Sequence, residues 1–272
     1  MLNDLRFELS FKNTFQLENK LNFCISNNIN KINIPCKGVI KKDFLNETIK
    51  YIGENYKNLD VTYHYSLYHQ YAKNREYSYL EFLNFIKKCK FYKNKEILLV
   101  SGSNKKKNFE VLDVLRDFNN EKNLNIDIGT AYNPYLKNHY NICGERERIK
   151  KKFSCRLTKS IWLQFGTDIK LLEKEINFLN DSVLNNTSHS KDKNVKIFGS
   201  LLIPSKEFIS RFKFRPWKGV FISEKYLNSL DDFYAFTKDL IEIYLDNNIC
   251  PIIETECSSI KKLQDIHSLM KK

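Results

Sequence analysis

The chain has 272 residues, of which 42% are hydrophobic, with 20 Phe and 15 Tyr. That is enough apolar surface to close one large core, which excludes a disordered or fibrous class. Its formal charge of +13 is mostly lysine spread beside Asn and Ile, and is read as compositional bias, not as a nucleic-acid surface.

Asp4, Arg6, Glu8 and Lys12 interrupt the apolar start of the chain, and no later segment is apolar for the roughly 18 residues that span a bilayer. Cys24, Cys36, Cys89, Cys143, Cys155, Cys250 and Cys257 form no C-x-x-C pair and sit among apolar neighbours. Buried thiols in a reducing, cytoplasmic setting, with no membrane partner, are expected from this usage.

From the amino terminus onward, short β-rich runs alternate with amphipathic stretches. The runs are Arg6–Phe11, Lys31–Pro35, Asp60–Ser66, Glu96–Ser101, Asn125–Ala131, Lys159–Gln164, Val195–Ile203 and Ile249–Glu254. The clearest helical stretches are Tyr79–Lys90, with a stripe of Leu80, Phe82, Leu83, Phe85 and Ile86, and Asp168–Leu184, with Leu171, Leu172, Ile176 and Leu179. Asp168 is positioned as the cap of the latter. Asp232–Asn247 and Ser258–Met270 supply the last helices. Eight such units predict a single (β/α)8 barrel, a fold that typically takes roughly 250 residues. Two stretches break the rhythm: the polar Asn185–Asn194 reads as a loop, and the aromatic Ser205–Tyr226 as a packed lid or part of a site.

Barrels of this kind carry their chemistry at the carboxyl ends of the strands. Those positions hold Glu8, His64, Gly102-Ser103, Ala131 to Pro134, Gln164 and Pro204. A carboxylate inside an apolar strand is costly to bury alone, so Glu8 is either hydrogen-bonded or functional. Gln164, between Leu163 and Phe165, needs partners for the same reason. The structural alternatives are a satisfied core histidine at His64 and a solvated helix face for Lys150-Lys151-Lys152. There is no G-x-G-x-x-G, no phosphate loop, no G-x-S-x-G and no recognisable metal spacing.

These strand-end residues, in their order, resemble the motifs of the methylenetetrahydrofolate reductase family. Phe7-Glu8-Leu9-Ser10-Phe11 is similar to its F-E-F-F-P-P, and Tyr63-His64-Tyr65-Ser66 to its A-H-L-T. Val100-Ser101-Gly102-Ser103 stands against L-R-G-D, with Ser103 in place of the acid. Ile128 to Pro134 resembles G-V-A-x-Y-P, Leu163-Gln164-Phe165 with Asp168 resembles T-Q-x-x-F-D, and Gly199 to Pro204 resembles P-G-I-x-P.

The resemblance implies a flavoprotein oxidoreductase of one-carbon metabolism that reduces methylenetetrahydrofolate with NADH or NADPH. It makes Glu8 the acid and Gln164 the residue that holds the pterin. FAD contacts fall to His64, Ser103, Ala131, Tyr132, Glu145 and Lys152. Ile32 to Pro35 and Arg215 to Val220 are similar to a short, divergent branch, whose members can lack flavin. The alternative is therefore a related barrel that has lost flavin and serves as a non-catalytic or partner-binding protein.

Overall fold

The computed structural model describes residues 5–70, 74–102, 110–119, 125–136, 139–184, 195–255 and 259–270. Among them are eight strands in a closed parallel barrel, ordered β1 to β8 as they occur in the chain. The strands are β1 Arg6–Glu8, β2 Lys31–Ile34, β3 Asp60–Ser66, β4 Glu96–Val100, β5 Asp127–Tyr132, β6 Thr158–Leu163, β7 Lys196–Leu201 and β8 Ile249–Ile253. Each begins within two residues of its predicted run. The single (β/α)8 barrel expected from the alternation is the observed fold.

The helices are α1 Thr14–Ser26, α2 Lys42–Asn55, α3 Arg75–Phe91, α4 Val111–Asn119, α5 His139–Phe153, α6 Ile169–Leu179, α7 Lys206–Phe214, α8 Glu224–Asn228, α9 Leu230–Asp246 and α10 Ile260–Met270. Caps set several of their starts. The Asp168 carboxylate accepts from the Leu171 N–H at 3.1 Å, as its place in the sequence suggested. Asn74 caps α3 and starts it four residues before the predicted stripe. Ser205 caps α7, a helix inside the stretch expected to be a packed lid or part of a site.

Contacts group the chain into two compact units, Arg6–Ala131 with Lys151–Ser160, and Met1–Leu5 with Tyr132–Lys150 and Ile161–Lys272. In the first, the Tyr65 ring lies 4.7 and 4.8 Å from Phe82 and Phe85 of α3, which marks its side of the sheet as the helix side. The strand register then places Phe7, Ile32, Ile34, Tyr63, Ile97 and Leu99 on that side. The opposite, interior face carries Arg6, Glu8, Asn33, Thr62, His64 and Ser66.

In the second unit, a Cβ on Gly199 would sit 2.4 Å from the Tyr244 ring, so Gly199 is the close-approach point between β7 and α9. Alternation and register then turn Phe198, Ser200 and Ile252 to the interior. Trp162 and Phe198 meet there with centroids 4.4 Å apart. The connection from β7 packs instead of projecting: Trp217 lies edge-on to Phe208 and Phe212, and Phe208 reaches Phe233 of α9.

Candidate active site

The interior face of the first unit is organised by a buried guanidinium. Arg6 donates to the Ile32 and Asp60 carbonyls, the Asn33 and Thr62 side chains and the Asp60 carboxylate, the last at 2.8 Å. A guanidinium with this many acceptors holds neighbouring strands in register and offsets the cost of its own burial. Two residues along β1 is Glu8, buried, with its carboxylate 2.5 Å from the ammonium of Lys37. Lys37 follows β2 and is half exposed, so the pair joins a buried carboxylate to solvent.

His64 stands on the same face, within electrostatic reach of Glu8, Lys37 and Arg6. Burial pushes its imidazole down to about 4; the Glu8 carboxylate opposes that shift, and Lys37 and Arg6 reinforce it. His64 is therefore neutral at physiological pH, able to donate or accept one hydrogen bond but not to act as a fixed cation. Gly102, after β4, takes a left-handed φ of 80°, and a Cβ there would come within 2.6 Å of Tyr68 and 2.8 Å of the Ser66 hydroxyl. The turn beside this cluster thus depends on glycine.

In the second unit, Gln164 follows β6 on the same side as Trp162, and its backbone N–H donates to the Tyr132 carbonyl at 2.9 Å. Its partly buried side-chain amide makes no hydrogen bond among the described residues. Tyr132 is fully buried, and its hydroxyl donates to the Glu175 carboxylate of α6 at 2.5 Å. Arg146 of α5 clamps the same carboxylate through two donors at 2.9 and 2.6 Å and stacks on Phe178. Burial and the Glu175 contact push the Tyr132 phenol well above its ordinary range, so the hydroxyl stays a donor. Nearby, Asn133 donates to the Gly219 carbonyl, tying the β5 end to the connection after β7.

The predicted site residues therefore fall into different roles. Glu8 and His64 come together on one face. Gln164 and Tyr132 are joined through the backbone, but the Tyr132 side chain turns to α5 and α6. Lys152 is buried and donates to the Ala131 carbonyl at 2.7 Å, anchoring the end of α5 to β5, which departs from the exposed helix face of the alternative reading. Glu145 pairs with Arg148 at 3.7 Å on its own helix. Ser103 lies outside the described residues.

Tyr132 and Lys152, two of the residues that the resemblance assigns to a flavin, spend hydrogen bonds inside the protein. Lys37, Asn33 and the Arg146–Glu175 pair were not anticipated. Lys37 was hidden in a lysine-rich chain, its one signal a place two residues after Pro35 at a strand end. The Arg146–Glu175 pair spans 29 residues and leaves no local pattern.

No family model matches the chain, and none of the curated proteins matches it. Solved structures do. A thermostable aldo-keto reductase, Tm1743, crystallised with the inhibitor epalrestat, is 12% identical over 98% of this chain and 89% of that one, with a TM-score of 0.52. Active domain 2 of a thermostable chitinase from Pyrococcus furiosus, complexed with chito-oligosaccharides, is 11% identical over 92% of this chain and 83% of that one, with a TM-score of 0.54. At these identities the likeness establishes the barrel fold alone.

Proposed function

We propose that this barrel is an oxidoreductase that reduces 5,10-methylenetetrahydrofolate to 5-methyltetrahydrofolate with NAD(P)H, and that Glu8 is its acid. The observation that carries the reading is the Glu8–Lys37 pair: a buried carboxylate at the carboxyl end of β1, joined at 2.5 Å to a half-exposed ammonium. In the pair the proton rests on the Lys37 ammonium, so Glu8 acts as acid by relay. Its carboxylate takes the proton from Lys37 as it passes one to the folate nitrogen, and half-exposed Lys37 is refilled from solvent. Protonation of a ring nitrogen opens the methylene bridge to an iminium carbon, and hydride from the nicotinamide closes the reaction. The balance is one hydride from NAD(P)H and one proton from the Glu8–Lys37 pair. Neutral His64 contributes a hydrogen bond without adding a competing charge. Gln164, whose amide has no partner among the described residues, holds the pterin. Tyr132 and Lys152, two of the flavin contacts that the resemblance implies, are engaged inside the protein, and in this reading hydride passes directly from the nicotinamide.

The test is folate-dependent oxidation of NAD(P)H by the purified chain and by Glu8→Gln. The variant should fold normally and lose about 100-fold in turnover, the scale of a missing general acid. Equal turnover in the two proteins counts against Glu8, and a wild-type chain that ignores both NAD(P)H and folate supports the non-catalytic alternative. The visible spectrum with and without added FAD tests the flavin separately: a flavin band retained through purification would overturn the flavin-free route.

A further inference from the structure

The opposite ends of β3 and β4 from His64 and Gly102 border a cavity. It has a volume of about 820 Å³ and is walled by the last turn of α2, the segment leading into β3 and the end of α3. Cavities of roughly 300–1,000 Å³ are the size that takes a small molecule. Two residues give up local backbone preference to shape this one. Gly53 lies within α2, where glycine is a poor helix former, and a Cβ in its place would fall 2.3 Å from the ring of Tyr92. Lys93 ends α3 at a φ of 61°, a left-handed position that usually goes to glycine or asparagine. Both departures border the same cavity, and Lys93 is the one that puts a charged side chain at a left-handed position there.

What those two departures achieve is an aromatic corner, two rings set at right angles, with cations at its edge. With Gly53 beneath it, the Tyr92 ring lies against α2, and Phe91 stands next to it at 4.9 Å and nearly perpendicular. Phe91 is 76% exposed, an unusual position for a ring with no apolar cover. Lys57, Lys93 and Lys95 line the same cavity and have no ion pair among the described residues. Of the acids there, Asp60 is paired with Arg6, while Glu54 accepts from the Tyr92 hydroxyl and keeps its charge, so three lysines face one unneutralised carboxylate. The charge left to a ligand is positive.

We propose that this cavity binds a nucleotide, with the base against Phe91 and Tyr92 and the phosphates on Lys57, Lys93 and Lys95. An aromatic face and a group of lysines are the two halves of such a ligand: any base stacks on a ring, and a compact ammonium suits a phosphate oxygen. Lysine in place of glycine at position 93 fits this reading, since the strained backbone is kept where its side chain adds the charge.

The experiment is calorimetric titration of the full chain with ATP, adenosine and inorganic triphosphate at physiological salt. ATP should bind about 10-fold more tightly than either fragment, as expected when stacking and phosphate contacts add. Lys93→Gly separates the site from the fold: it should weaken ATP binding several-fold while leaving the melting temperature equal or higher. Phe91→Ala should weaken ATP but not triphosphate. An ATP affinity unchanged in Lys93→Gly would place the nucleotide elsewhere and overturn the proposal. So would triphosphate binding as tight as ATP, or no ATP binding at millimolar concentration.

Discussion

On β1 to β3 the interior face carries Arg6, Glu8, Asn33, Thr62, His64 and Ser66, knitted by the Arg6 guanidinium. On β6 to β8 the same kind of face carries Trp162, Phe198, Ser200 and Ile252, and its main contact is a pair of tilted rings. Equivalent positions of one repeating unit are thus used in two ways. Apolar interior positions are satisfied by dispersion and area alone, whereas each polar one must find a partner, and the partners organise each other. Ionisable chemistry has gathered where the network already meets the cost of burying charge, and close packing governs where it does not.

Breaking the apolar side should have the largest effect. Trp162→Ala removes a buried ring with its Phe198 partner and should lower stability by about 3–5 kcal/mol in chemical denaturation. A loss below 1 kcal/mol would mean that the rings are not what holds β6 and β7 together.

The polar side predicts a dependence on pH instead. Because the His64 imidazole is held at about 4 in the folded chain, the unfolded chain takes up a proton first as pH falls from the ordinary 6.5. The folded state therefore loses stability between pH 6.5 and about 4, by at most about 3 kcal/mol, and keeps it above that window. Denaturation curves across that range should steepen the loss in wild type and flatten it in His64→Gln. Equal slopes would show that His64 is not buried in its neutral form.

Gln164 is the exception within the second region, a polar amide on the apolar side. If its free hydrogen-bonding positions serve the pterin, Gln164→Ala should raise the folate KM about 10-fold or more, up to about 30-fold if two bonds at about 1 kcal/mol each are lost, with little change in the KM for NAD(P)H. A drop in melting temperature with an unchanged folate KM would assign the amide to the barrel interior.

Strand positions were legible because a parallel strand buried on both faces shows a short β-branched run whatever it packs against, and the alternation with helical stripes fixed the architecture. Glu8, His64 and Gln164 stood out for a related reason, as polar residues in apolar runs. Within the predicted stripe on α3, Leu80 is nonetheless 48% exposed while Phe82, Phe85 and Ile86 are buried, because periodicity gives a direction and not the width of the neighbour. The short α7 was read as connection, although Ser205 before Phe208, Ile209 and Phe212 held the signal of a capped, one-sided helix.

From the sequence alone came the (β/α)8 barrel and the positions of its strands, since these follow from local periods of two and about 3.6 residues. Partners were decided only by the tertiary structure. Lys37 on Glu8, Arg6 on Asp60, Tyr132 and Arg146 on Glu175 and Lys152 on the Ala131 carbonyl join residues 21 to 54 positions apart. A charge or hydroxyl commits to the acceptor that burial brings within about 3 Å, and that proximity is created by closing strands into a sheet and laying helices on it, a step that leaves no periodic trace in the chain.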